Sequence, residues 1–136
     1  MEDPKRMKIT GEIVHGKHLG RTIGFPTANV EIRHQTGNGP DGVYAAFLEV
    51  NETRYYSMVN IGHHPTLPGG GKTVEAYIFD FSGDIYGKPV CIETVAYIRP
   101  EQAFPSVEAL RLQLEKDKIT TYELLSAKIS ETPGIE

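Results

Sequence analysis

The stretch from Gly42 to Ile61, GVYAAFLEV then NE then TRYYSMVNI, decides the fold. Its two arms are rich in Val, Ile, Tyr and Phe, and a short polar break at Asn51-Glu52 separates them. That pattern predicts a strand, a tight turn and a second strand. The turn lacks the favoured Asn-Gly chemistry, so the register rests on the arms more than on the turn. Working outward, similar runs recur at residues 8–15, 73–81 and 90–98, and a short extended piece at 28–32 adds a sixth. Gly, Pro, Asn and Asp punctuate all of them.

After the strands the pattern changes once. Ser106 is a good helix N-cap, and Glu108 falls in the first turn, where the helix dipole favours an anion. Val107, Leu110 and Leu114 share one face at helical spacing. The β-branched run Ile119-Thr120-Thr121 weakens the middle, so Leu124, Leu125 and Ile129 are expected to form a second helical piece. Pro133-Gly134 ends the order. Five or six short antiparallel strands followed by helix form a mainly β, α+β plan, and closely spaced strands of this kind close into a barrel or sandwich.

Composition agrees. The chain has 136 residues, 14 glycines, 9 prolines, one cysteine and a formal net charge of −4. The length suits one domain over residues 1–136, with 1–7 and 131–136 as flexible ends, and one core without staples. A single Cys excludes a disulfide scaffold and an all-Cys zinc site, and Cys91 alternates within a strand as a small, at least half-buried residue. No apolar run approaches the ~18 residues of a membrane span. Residues 1–7 carry charges but no apolar core of a signal peptide. The expected setting is therefore the cytoplasm, away from membranes. The acidic balance also argues against a nucleic-acid partner, which calls for a basic surface. No strand or helix shows a large spare apolar face, so a monomer is expected.

Three tempting motifs fail. Gly37 to Gly42 has the spacing G-x-G-x-x-G, but a strand follows it and Pro40 interrupts it, whereas a dinucleotide site needs a strand before and a helix after; a mobile hairpin loop is the plainer reading. Gly70-Gly71-Lys72-Thr73 resembles the end of a P-loop, yet Thr66 stands where the first Gly belongs and a strand follows. His15, His18, His63 and His64 lack the companions and spacing of a zinc site.

One constellation survives. From Gly16 to Asn29 the chain reads GKHLGRTIGFPTAN. Gly16, Gly20 and Gly24 permit close backbone approach, and loop N–H groups of this kind can cradle phosphate oxygens, with Lys17 and Arg21 adding positive charge. Pro26 holds Phe25 extended. Thr27 and Asn29 then point to one side, a hydroxyl beside an amide oxygen, which suits Mg²⁺ sharing its shell with nucleotide phosphates. Local satisfaction of the backbone by the same two side chains is an equal alternative. On the strand at 73–81, Val74, Ala76 and Ile78 form one face. Thr73, Glu75, Tyr77, Phe79 and Phe81 form the other. Glu75 is either a solvated acid on an outer face or a carboxylate in a pocket, able to orient and deprotonate an alcohol.

Taken together these residues resemble the riboflavin kinase (flavokinase) family. The likeness runs from about Gly11 to Asp117. Its most specific piece is Gly24-Phe25-Pro26-Thr27-Ala28-Asn29. In order follow Gly42-Val43-Tyr44-Ala45, then Asn60-Ile61-Gly62 with Pro65-Thr66, and then the run from Glu75 to Phe81. Asp84-Ile85-Tyr86-Gly87 comes next, then Ile98-Arg99-Pro100-Glu101 with Phe104. Ser106, Glu108-Ala109-Leu110, Gln113 and Asp117 complete the pattern. The resemblance implies a six-stranded antiparallel Greek-key β-barrel with a C-terminal helix packed against it. It implies transfer of phosphate from ATP to riboflavin, giving FMN and ADP, with Mg²⁺ or another divalent metal. By the same likeness Thr27 and Asn29 hold metal and nucleotide, Gly16 and Arg21 lie in the loop over the phosphates, and Ile78, Asp80 and Tyr86 lie near the nucleotide. Glu75 is the catalytic acid residue, the base for the ribityl hydroxyl. Arg99, Gln102 and Phe104 lie near the flavin, Phe104 over its ring and Arg99 at its polar or phosphate end. The loops around Gly20 and Gly70 are expected to close over substrates.

The chain departs from the family at Tyr77, where His is frequent, and Gln102 occupies a variable position. Many bacterial relatives add an adenylyltransferase domain with a His-x-Gly-His motif. His15-Gly16-Lys17-His18 does not match it, so the expected product is FMN. A flavin-binding regulator on the same barrel is the alternative, and a single-strand nucleic-acid binder a poor third.

Overall fold

The computed structural model describes residues 6–14, 24–63 and 71–130. Six strands, β1 (Lys8–Val14), β2 (Ala28–Thr36), β3 (Gly42–Val50), β4 (Thr53–His63), β5 (Lys72–Ile78) and β6 (Pro89–Arg99), precede one helix, α1 (Val107–Ser130). They close a barrel in the order β1-β2-β5-β4-β3-β6, every neighbouring pair antiparallel. Strands β3, β4 and β5 form a meander, and β6 returns to lie beside β3, which is the Greek-key arrangement. Closure leaves no sheet edge.

Period-two alternation sorts the side chains. Ile9, Ile13, Val30, Tyr44, Leu48, Val59, Ile61, Val74, Ala76 and Ile92 point inward and form the main core. The outer face is also apolar where α1 covers it. Ala45 and Phe47 pack with Leu125, while Phe25, Met58 and Phe79 pack with Leu114. Helix α1 begins as expected, with the Ala109 N–H donating to Ser106 Oγ at 3.0 Å. Among the described residues no helix is long and apolar enough to cross a membrane. Cys91 is half-buried, and burial pushes its thiol up, away from the reactive thiolate.

Four expectations need correcting. Strand β2 runs to Thr36, because β1 pairs with it along its whole length through an irregularity at Thr10/Gly11. A Cβ on Gly11 would lie 2.3 Å from the Glu31 carbonyl oxygen, so only glycine permits that close approach. Strand β5 stops at Ile78, since Asp80 adopts a left-handed φ of 56° that ends the alternation. Phe79 therefore stays with Phe25 and Met58, whereas Phe81 turns to the barrel core against Tyr55. Helix α1 is one piece through Thr121, which is buried with Leu125; packing outweighs the weak propensity of that run. Finally, the segment at 37–41 joins β2 to β3, which are not neighbours, so it is a crossover and not a hairpin. It is tied down by the Tyr97 hydroxyl donating to the Asp41 carbonyl at 3.2 Å.

Asn51 and Glu52 both have left-handed φ, 53° and 65°, the signature of a two-residue type I′ hairpin. A non-glycine residue there carries a steric cost. Glu52→Gly should therefore stabilise the fold by about 0.5–1 kcal/mol, read as a higher urea midpoint; an unchanged or lower midpoint would contradict it.

Candidate active site

The motif at 24–29 is built around one anchor. Gly24 takes φ 86°, a left-handed turn. Phe25 is then buried under α1, its ring 5.2 Å from that of Tyr77. Thr27 and Asn29 follow, half-buried, with Ala28 between them facing inward against Ala76.

Register converts this into a site. Asn29 pairs with Glu75, Glu75 with Asn60, Asn60 with Val43, and Val43 with Arg99. One row on the outer face thus crosses β2, β5, β4, β3 and β6. Directly opposed side chains in such rows have Cβ atoms about 4.5–5.5 Å apart. Glu75 sits between Asn29 and Asn60 in this row, half-buried, with no hydrogen bond or ion pair to any described residue.

Two concavities adjoin Thr27 and Tyr77. The larger, about 770 Å³, is bounded by Val14, Thr27, Ile78, Asp80, Asp84 and Tyr86 among others. The smaller, about 320 Å³, lies under α1 and holds Glu75, Asn60, Arg99, Gln102 and Phe104, with Leu110 and Leu114 above. Thr27 and Tyr77 line both, so they form the shared wall.

The residues expected from the sequence divide cleanly between these spaces. Ile78, Asp80 and Tyr86 line the larger cleft, and Arg99, Gln102 and Phe104 line the smaller pocket beside Glu75. Asn29 lines neither and stands behind Glu75 in the row. Gly16 and Arg21, and the loops around Gly20 and Gly70, lie outside the described residues.

Arg99 lines the pocket, and each of its three guanidinium nitrogens already donates a hydrogen bond. Its Nε donates to both oxygens of Asp117, at 3.2 and 3.0 Å, and Nη2 donates to Oδ2 at 2.8 Å. Nη1 donates to the Pro100 carbonyl at 3.2 Å. The Gln113 amide donates to Asp117 Oδ1 at 2.9 Å. The side chains are 14% and 3% exposed, a buried pair tying α1 to β6. The Arg99 guanidinium also lies 5.6 Å over the Phe104 ring, so this pair sets the pocket's far wall.

Sequence reasoning quoted Asp117 but gave it no role, and Asn60 likewise. Each had a signal. Asp117 lies three residues after Leu114 and four before Thr121, on the helix's inner face, and Asn60 follows Tyr56 and Met58 on one strand face as a polar break. Among the described residues no cluster of three His, Cys, Asp or Glu is placed to hold a metal.

Comparisons with known proteins identify the family. The profile of the Flavokinase family, described as riboflavin kinase, matches residues 4–125. The bifunctional riboflavin kinase/FMN adenylyltransferase of Haemophilus influenzae is 43% identical over 114 residues, which is 83% of this chain and 37% of that protein. The chain thus spans little more than a third of that relative's length. The solved macrolide-efflux protein of Streptococcus pneumoniae shares 38% identity at a TM-score of 0.79, over 85% of this chain and 38% of that one. The riboflavin kinase of Trypanosoma brucei shares the fold, with a TM-score of 0.65 and 24% identity over 90% of this chain and 78% of that one.

Proposed function

The chain belongs to the riboflavin kinase (flavokinase) family, and from that premise we propose that it transfers the γ-phosphoryl group of ATP to the ribityl 5′-hydroxyl of riboflavin, giving FMN and ADP. The observation that carries the reading is the meeting of two concavities at Thr27 and Tyr77, with a carboxylate, Glu75, that has no partner among the described residues on one side of the join. A nucleotide in the larger cleft and a flavin in the smaller pocket would bring phosphate and hydroxyl together there.

Phosphoryl transfer has a loose transition state, so catalysis is mainly positioning and neutralisation of phosphate charge. The smaller pocket provides the positioning. Phe104, Leu110 and Leu114 offer apolar surface for a ring system, and Gln102 offers polar contacts at its edge. Closing these residues over the flavin excludes water from the acceptor hydroxyl. Glu75 accepts a hydrogen bond from that hydroxyl, orients its oxygen and takes the proton late, as the new P–O bond forms; an alcohol is too weak an acid to be ionised earlier.

The side chains fit a divalent metal of the Mg²⁺ type. Thr27 and Asn29 supply two neutral hard oxygens on one side of the chain, and among the described residues no group of three acidic, His or Cys side chains surrounds them. That donor set suits an ion that keeps waters and completes its shell with phosphate oxygens. Bound there, the ion supplies charge neutralisation on the phosphates.

The test is direct. The purified chain with riboflavin, ATP and Mg²⁺ should yield FMN on chromatography, and chelation of the metal should abolish the product. Riboflavin that binds but is never phosphorylated would overturn the kinase reading and favour a flavin-binding regulator.

A further inference from the structure

We infer that Lys118 is a second charge-handling residue of the phosphoryl-transfer site, binding the nucleotide's phosphates from the helix side. This inference deepens the kinase reading and rests on it.

Lys118 projects from α1 into the larger cleft. Its Nζ lies 5.7 Å from the ring centroids of both Tyr77 and Phe79, within the ~6 Å range of a cation–π contact. Tyr77 and Phe79 are themselves packed at 5.4 Å, and Tyr77 touches Phe25. The ammonium is thus held over a rigid aromatic shelf. It lies beside Tyr77, which is part of the wall between cleft and pocket, where a transferred phosphoryl group has to pass.

Charge makes the position meaningful. The cleft's other described ionised groups are Asp80 and Asp84, both acidic, and Asp84 accepts the Tyr86 N–H at 3.0 Å. A polyphosphate entering past two carboxylates is repelled by them. Among the described residues Lys118 is the only cationic side chain lining the cleft, and no described carboxylate lies within ion-pair distance of its Nζ. The neighbouring Asp117 is turned away, held by Arg99 and Gln113. The alternative role for Lys118 is simple cover for the aromatic pair by its aliphatic stem. Lys118→Met separates the two, because it keeps the stem and removes the charge.

Equilibrium titrations with ADP, adenosine and riboflavin read the difference without turnover. In Lys118→Met the Kd for ADP should rise about fivefold, the effect of one charge pair at a half-open site. The dependence of ADP binding on salt should weaken. Adenosine and riboflavin should bind as before, and Lys118→Arg should restore ADP binding. In turnover, KM for ATP should rise more than kcat falls. Unchanged ADP affinity in Lys118→Met would overturn the inference, and so would equal weakening of ADP and adenosine, which marks a packing role. An unmodified chain that binds ADP but makes no FMN would overturn the kinase reading alone. One that binds no ADP would overturn both.

Discussion

Replacing Glu75 with Gln should lower kcat for FMN formation by about 10²–10⁴-fold, the range associated with a positioned general base, while riboflavin and ADP bind with unchanged affinity. The amide keeps the size of the carboxylate and can still face the acceptor hydroxyl, but it cannot take the proton. What makes the experiment decisive is the isolation of Glu75. It forms no hydrogen bond or ion pair with any described residue, so removing its charge breaks no network among them. Stability should change by no more than about 0.5 kcal/mol, as for a substitution away from packed or paired groups. A large loss of kcat at constant Tm and constant flavin affinity is then a loss of chemistry. Turnover that survives at full rate would show that Glu75 is not the base.

The strands were legible because composition and punctuation act locally. Gly42–Val50 follows from its own residues, and Ser106 marks the start of α1 through a side-chain bond to the third residue on. Pairing is not local. The second half of β2, beyond Ile32, with exposed Arg33 and His34, does not read as strand until β1 is laid beside it and Arg33 meets Glu12 at 2.6 Å. Helix α1 looked divided at Ile119-Thr120-Thr121, and only the burial of Thr121 and Leu125 against the barrel holds it whole. The site shows the same split. The order of short motifs pointed, by resemblance, to candidate residues. Strand register then puts Asn29, Glu75 and Asn60 in one row, and helix docking puts Lys118 over Tyr77. Neither follows from spacing along the chain, since both depend on elements brought together from far apart in sequence.

Asp117→Asn should destabilise the fold by roughly 3 kcal/mol, the lower end for breaking one partner of a buried ion pair. Asn keeps the size and one acceptor oxygen, so Gln113 retains a partner. The Arg99 guanidinium, only 14% exposed, loses the carboxylate that three of its hydrogen bonds reach. Some of its surface touches water, which keeps the cost from the upper end of the range. The pair also holds α1 against β6 and sets Arg99 over Phe104, so flavin affinity should fall with stability. A double variant, Arg99→Met with Asp117→Leu, separates these two consequences. Replacing both charges with apolar groups removes the unpaired guanidinium, and such exchanges are often neutral or stabilising. Its urea midpoint should therefore recover most of the loss, while riboflavin affinity, measured by flavin fluorescence, should stay low because the cation over Phe104 is gone. Recovery of both together would show that the pair serves only to fasten the helix. Recovery of neither would mean that the geometry of the ion pair, and not relief of a stranded charge, holds this end of the barrel.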